Sequence, residues 1–298
     1  MLYCLILEPC FTLGPCILDL PCALYLVPCV FYLVPYLAPF MNKIKLVLLK
    51  LLGEQKYLFF VSASFQRLFA TGRLGKTYQD VYFMKKFVNE GDTCIDIGAH
   101  LGYYTFEMSR LVGEKGRVVA VEPVAKFFNV LEKMVNAKRI KNIELKKVAL
   151  GGEGKVVEIG IPRINKQKRF GHARIRKLSE YLEYAESESV PNADGDELFA
   201  GLTRVDFIKC DVEGAEVPVF KSMPRLISKH QPVLLLELAD KSERIKMKEM
   251  LSSDYNIYFL FNKKLKRIDP NSEERAVSHN HYFIPSSRLS LFKDHITD

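Results

Sequence analysis

Asp92-Thr93-Cys94-Ile95-Asp96-Ile97-Gly98-Ala99-His100-Leu101-Gly102-Tyr103-Tyr104-Thr105 joins a short apolar run to a glycine turn and then a helix start. That order opens a βαβ unit, and in an open parallel sheet ligands sit beyond the carboxyl ends of the strands. Gly98 can bring the backbone close to a ligand, and Gly102 lets a helix pack near the strand. The spacing is Asp-x-Gly-x-x-x-Gly, not the G-x-G-x-x-G of dinucleotide loops. A pyrophosphate cradle wants no carboxylate at its start, whereas a cationic ligand tolerates Asp96. Taken alone, a plain strand–turn–helix junction reads the same way.

Outward from this stretch the pattern repeats. Strands are expected at 93–97, 117–122, 143–150, 156–161, 205–210, 233–238, 256–261 and 281–284. Helices are expected at 78–89, 104–112, 124–137, 215–228 and 242–251. Short apolar strands alternating with helices predict an α/β fold, a mostly parallel, doubly wound sheet covered on both faces. Residues 165–203 are polar, carry Pro191-Asn192-Ala193-Asp194-Gly195 as turn chemistry, and read as a loop-rich insertion. Residues 41–77 read as an N-terminal helical region, and 78–298 as the main domain.

The 298 residues suffice for one large domain or two small ones, and for a core that needs no disulfide or metal staple. Lys+Arg 43 against Asp+Glu 35 gives +8, spread along the chain. The short clusters Lys166-Gln-Lys168-Arg169 and Lys263-Lys264 read as solvated loops, so nucleic acid is not an expected partner. Residues 1–40 stand apart. They hold 30 apolar residues, 5 of the 7 Cys and 6 of the 14 Pro, with two acids (Glu8, Asp19) and no Lys or Arg. Pro-Cys recurs at 9, 15, 21 and 28. Three readings stay open: a membrane anchor, a secretory signal, and an upstream extension ahead of a start at Met41. An anchor has the length, but its prolines remove helix hydrogen bonds. Were it to span, Lys43, Lys45 and Lys50 would leave the body on the cytoplasmic side. The extension reading also puts the body in the cytoplasm. There Cys94 and Cys210 read as small apolar strand residues.

Two further stretches carry chemistry. Arg117-Val-Val-Ala-Val-Glu122-Pro123 ends in an acid 24 residues after Gly98, placed to accept both hydroxyls of a ribose. Val205-Asp206-Phe207-Ile208-Lys209-Cys210-Asp211-Val212-Glu213-Gly214-Ala215-Glu216 runs an apolar strand into three acids. Three such carboxylates could hold a hard cation. The preferred split gives one acid to the substrate, one to a helix cap and one to the first helical turn, with no metal.

These pieces, with Gly91-Asp92-Thr93, Val121-Glu122-Pro123, Pro232 through Glu237 and Asn280-His281-Tyr282-Phe283-Ile284-Pro285, resemble FkbM-type S-adenosylmethionine-dependent methyltransferases from about residue 78 to 285. The resemblance implies a Rossmann-like class I methyltransferase fold, with a seven-stranded sheet whose last strand is antiparallel. It implies S-adenosylmethionine as cofactor and places Asp96, Gly98, Ala99, His100, Gly102, Tyr104, Thr105, Glu122 and Asp211 around it. It puts Asp211, Glu213 and Glu237 near the methionine end or the acceptor. Two departures stand out. His100 takes a position usually held by Asn, and Lys177-Leu178-Ser179-Glu180-Tyr181-Leu182 replaces a Thr-Leu-Asp-x-Leu segment.

The expected reaction is in-line methyl transfer to a hydroxyl of a saccharide or other small-molecule or glycan acceptor. Asp211, Glu213 and His100 are the candidate catalytic groups, with Glu237 and His172 toward the substrate. The alternative is a non-catalytic, membrane-associated binding protein on the same scaffold, with residues 1–40 as its membrane contact.

Overall fold

The computed structural model describes residues 38–297 apart from 73, 76–77, 165–166, 177–181, 252 and 275–278, with side chains from residue 45 onward. The apolar repeat through residue 37 and most of the Lys177–Leu182 departure lie outside the described residues. Two compact units divide at 72/73, five residues before the boundary expected from sequence.

The first unit holds helices α1 (Ala38–Leu52) and α2 (Glu54–Ala70), which pack on one another across Gly53. No helix among the described residues is long and apolar enough to cross a membrane.

The second unit is built on one large sheet. Its centre is β1 (Thr93–Ile97), flanked by β2 (Arg117–Val121) and β3 (Ile143–Lys146) on one side. On the other side lie β9 (Phe207–Cys210) and β10 (Val233–Glu237), all parallel. Beyond β10, β13 (Asn280–Pro285) runs antiparallel to both its neighbours, β10 and β11 (Tyr255–Phe261). These seven strands are the expected sheet with its antiparallel last strand. Two short additions extend the edge to nine: β12 (Lys264–Arg267) and β14 (Ile296–Thr297). The sequence reading missed both, because a four-residue charged strand and a two-residue strand carry no periodicity. Valines, isoleucines and leucines fill the central strands on both faces, as parallel sheets require.

Three of the five expected helices form within a residue of their expected bounds, and two are shorter than the apolar spacing predicted. Residues 78–89 form α3 (Gln79–Phe83) and one 3₁₀ turn, Met84–Lys86. Pro224 splits 215–228 into α7 (Glu216–Lys221) and α8 (Pro224–His230), since a proline cannot donate inside a helix but suits its first turn. Helix α4 (Thr105–Val112) follows β1 and α5 (Ala125–Ala137) follows β2. α9 (Lys241–Met250) follows β10, with Asp240 accepting from the Glu243 N–H at 2.9 Å as its cap.

The expected loop at 165–203 contains a long strand. The ten-residue β8 (Tyr184–Ala193) pairs antiparallel with β5 (Val156–Ile164) in a second sheet. That sheet also takes β4 (Ala149–Leu150), β6 (Gln167–Lys168) and β7 (Arg174–Ile175), followed by α6 (Gly195–Leu198). β8 was unreadable as a strand because it lies over the main domain's edge: Tyr-Ala-Glu-Ser-Glu-Ser alternates charge and hydroxyl, not apolar with polar. Its acids have structural work. Glu188 accepts from the Ala125 N–H at the start of α5 (2.8 Å), and Glu186 binds Lys126 and Lys168.

Candidate active site

The two ends of the sheet are charged differently. At the amino end, Asp92 and Asp206 meet Arg204 and Arg288 at 2.7–3.1 Å, so each carboxylate has a guanidinium. At the carboxyl end, Asp96, Asp211 and Glu237 surround a single buried ammonium, Lys209. The register makes this unavoidable, because Lys209 pairs with Asp96 across β1–β9 and stands two residues before Asp211. Lys209 Nζ lies 3.3 Å from Asp211 Oδ2 and 5.2 Å from the Tyr104 ring. Burial opposes its charge, yet Asp211, Glu237 and Asp96 together hold its pKa above the ordinary lysine value.

The carboxylates respond as a set. Burial pushes Asp96 up to about 6, against the 2.5 Å hydrogen bond it accepts from Thr105 Oγ1. Burial also works to raise Asp211, but the Lys209 charge and a hydrogen bond from Glu237 outweigh it and keep Asp211 below the usual range. Glu237 goes the other way, raised by burial and then by the Asp211 charge. The two carboxyls are thus pushed apart, Asp211 toward the ionised form and Glu237 toward the neutral one.

At the end of β2, Glu122 is 4% exposed. Its Oε1 accepts from the Val124 N–H (2.8 Å) and its Oε2 from the His100 N–H (2.7 Å). Burial lifts its pKa to about 8 in spite of those two donors. The turn between β1 and α4 is wound tightly to make this contact. Gly98 and Ala99 both donate to the Val121 carbonyl at 3.0 Å, and His100 sits at φ +48. Imidazole tolerates that left-handed backbone better than most side chains, as does the amide it replaces. A Cβ on Gly98 would lie 1.9 Å from the Asp211 carbonyl oxygen. The glycine is required by the close approach of the β9 end. Gly102, at φ +83, makes room for the Phe106 ring and Leu131.

His100 packs its ring 4.2 Å from that of Phe127, and burial lowers its pKa to about 4. Among the described residues its buried Nε2 has no hydrogen-bond partner. Such an orphan in a polar site points to a missing ligand group. Over this corner the second sheet lays the turn Phe170–His172. Phe170 meets Phe127 edge-on at 6.4 Å, and His172 Nδ1 lies 3.1 Å from Glu213 Oε1. Glu213, at φ +57, also receives Arg174 Nη2 at 3.4 Å; burial raises its pKa while His172 opposes this. Glu216 turns back to accept the N–H groups of Val212 (2.9 Å) and Gly214 (3.1 Å), so it braces its own loop.

The structure thus gathers Asp96, His100, Tyr104, Thr105, Glu122, Asp211, Glu213 and Glu237 at one sheet edge, with His172 above them. Among the described residues no group of His, Cys, Asp and Glu forms a metal site. Cys94 and Cys210 are free and buried in β1 and β9. The sequence reading missed Phe127, Phe170 and Arg174, which border the site only through tertiary packing. It also missed Asp80, which is fully buried and accepts from Asn280 (3.0 Å) and Tyr282 (2.9 Å). A lone Asp in a helix start carries no local signal of such a role.

Residues 96–280 match the Methyltransferase FkbM domain. No curated protein matches the chain significantly. Among solved structures, a methyltransferase FkbM from Methylobacillus flagellatus is 16% identical, over 76% of this chain and 53% of that one, with a TM-score of 0.46. An S-adenosylmethionine-dependent O-methyltransferase from Thermotoga maritima is 14% identical, over 70% and 64%, with a TM-score of 0.36. Fibrillarin from Aeropyrum pernix, solved with bound S-adenosyl-L-methionine, is 16% identical over 69% and 73%, with a TM-score of 0.38. The chain spans about half the length of the first of these and under two thirds of the second.

Proposed function

The chain belongs to the FkbM methyltransferase family, and on that premise we propose that it transfers a methyl group from S-adenosylmethionine to a hydroxyl of a saccharide or other small-molecule or glycan acceptor. The observation that carries the reading is the crowding of carboxyl groups at the carboxyl edge: Asp96, Asp211 and Glu237 stand around one Lys209 with Glu122 beside them, and burial together with their mutual repulsion raises the pKa of Asp96, Glu122 and Glu237. A cationic ligand relieves that repulsion, and a pyrophosphate would worsen it.

The residues present fit the cofactor. Each Glu122 oxygen already takes one N–H and keeps lone pairs for a ribose hydroxyl. The unpartnered His100 Nε2 offers a further hydrogen bond beside it. When bound, S-adenosylmethionine supplies an electrophilic methyl on a positively charged sulfur. The chain's own contribution is alignment, which is worth on the order of 7–11 kcal/mol when reacting groups are held well.

An alcohol must also lose its proton. Asp211 is the ionised member of the Asp211–Glu237 pair and takes that proton at its carboxylate, a role worth typically ~10²–10⁴-fold. Glu237 and His172 border the acceptor, and Glu213 steadies His172. The β9 end runs into Asp-Val-Glu-Gly in place of the Asn/Asp-Pro-Pro-aromatic turn of enzymes that methylate planar amines, which favours a hydroxyl. Calorimetry with S-adenosylhomocysteine, followed by labelled methyl donor with saccharide and lipid-linked acceptors, tests this. Absence of cofactor binding overturns it.

A further inference from the structure

Helix α1 presents an unusual surface. Leu46, Val47 and Leu51 are 57%, 53% and 75% exposed. At 100° per residue they share one face with the exposed Lys50, while Leu48, Leu49 and Leu52 on the other side are partly buried. From residue 20 to residue 53 the sequence holds no Asp or Glu, and its only charges are Lys43, Lys45 and Lys50.

We propose that α1 lies in the plane of an anionic lipid surface. Leu46, Val47 and Leu51 enter the boundary of the acyl chains, and Lys50 runs its stem along them to bring its ammonium to the headgroups. The charge pattern selects this occupant. A second copy of the chain would set one acid-free lysine face against another, whereas an anionic headgroup layer supplies the opposite charge. The described helix alone is too short to span, because its 15 residues reach about 22 Å against a hydrocarbon core of about 30 Å. This inference is independent of the proposed chemistry, since no residue of the carboxyl-edge site takes part.

The test is flotation of the full chain with vesicles of phosphatidylcholine alone and of phosphatidylcholine with phosphatidylserine. The chain is expected to float with the second, less as salt rises. Lys50→Glu is expected to lower partitioning by about fivefold or more, taking about fivefold per lysine. Leu46→Glu with Leu51→Glu is expected to abolish it. The chain has no tryptophan, so Val47→Trp adds a single indole whose emission shifts to the blue on serine-containing vesicles. An unchanged far-ultraviolet circular dichroism spectrum shows that each variant is folded. The inference is overturned if the wild type floats with neither vesicle, or if the Leu46/Leu51 variant floats like wild type. A dimer seen without vesicles and broken by that variant would assign the face to a second copy and overturn it too.

Discussion

Glu122 and His100 meet across the gap between β2 and β1, the backbone N–H of His100 donating to Glu122 Oε2 at 2.7 Å. One carboxylate thus holds the loop that would hold the cofactor, and a defect in either should appear in both. Glu122→Ala is expected to abolish S-adenosylhomocysteine binding in calorimetry. It should also cost roughly 1–3 kcal/mol of stability in urea unfolding, because the buried N–H groups of His100 and Val124 lose their acceptor. Retained binding would place the cofactor elsewhere.

Asp211→Asn should separate binding from turnover. The amide keeps the volume but cannot take a proton, so single-turnover rates with labelled donor are expected to fall about 10²–10⁴-fold. Cofactor affinity should change far less. A rate within a few-fold of wild type would remove Asp211 as the base.

Stability of the ligand-free protein is expected to fall from about pH 6.5 to about pH 8. The Glu122 pKa is raised from the ordinary glutamate value to about 8, and that of Glu216 to about 7. A carboxyl raised in the fold contributes stability below its unfolded pKa, and loses it as pH climbs through the folded value. His100 and His281, lowered to about 4, act with the opposite sign but finish titrating by about pH 6.5. The slope per proton is at most about 1.4 kcal/mol per pH unit. Denaturant titrations at several pH values should show it, and Glu122→Gln should flatten it.

Cofactor charge gives a related expectation. The affinity ratio of S-adenosylmethionine to S-adenosylhomocysteine should rise over the same pH window as the carboxyl groups ionise, since the two ligands differ in the sulfonium charge. A pH-independent ratio, measured by competition calorimetry, would mean that the acid surplus does not face the sulfur.

Gly98→Ala should be destabilising by at least about 2 kcal/mol in chemical denaturation. Its Cβ meets the Asp211 carbonyl at 1.9 Å and its φ of +81 disfavours any side chain. Activity should fall with it, because the only relief is to move Asp211.

The His172 side chain is 49% exposed and, among the described residues, is held by Glu213, so His172→Asn should leave cofactor affinity intact. A raised KM for the acceptor with little change in cofactor binding is expected from steady-state kinetics. A loss of cofactor affinity would instead make the Phe170–His172 turn a cofactor lid.

Much of this was written in local pattern. The run from Thr93 to Ile97, the acid 24 residues beyond Gly98 and the strand into Asp211 each sit on one element, where period and turn chemistry are read directly. From them the parallel sheet and the edge that carries the acids followed, whereas the antiparallel last strand was implied only by the family resemblance. Where a signal depended on neighbours far along the chain, reading failed. β8 looks like loop because its Glu186 and Glu188 serve α5, some sixty residues away, and Pro224 broke a helix whose apolar spacing ran straight through it.

Sequence alone determined which carboxylates end the strands, since strand order and register put successive elements' last residues at the same edge. Only the tertiary structure decided their charge. Asp211 and Glu237 are both acids at strand ends, yet Lys209 holds the pKa of one below the ordinary range while burial and the Asp211 charge raise the other. That difference arises from burial and from a single ammonium placed between strands, and no stretch of sequence contains both.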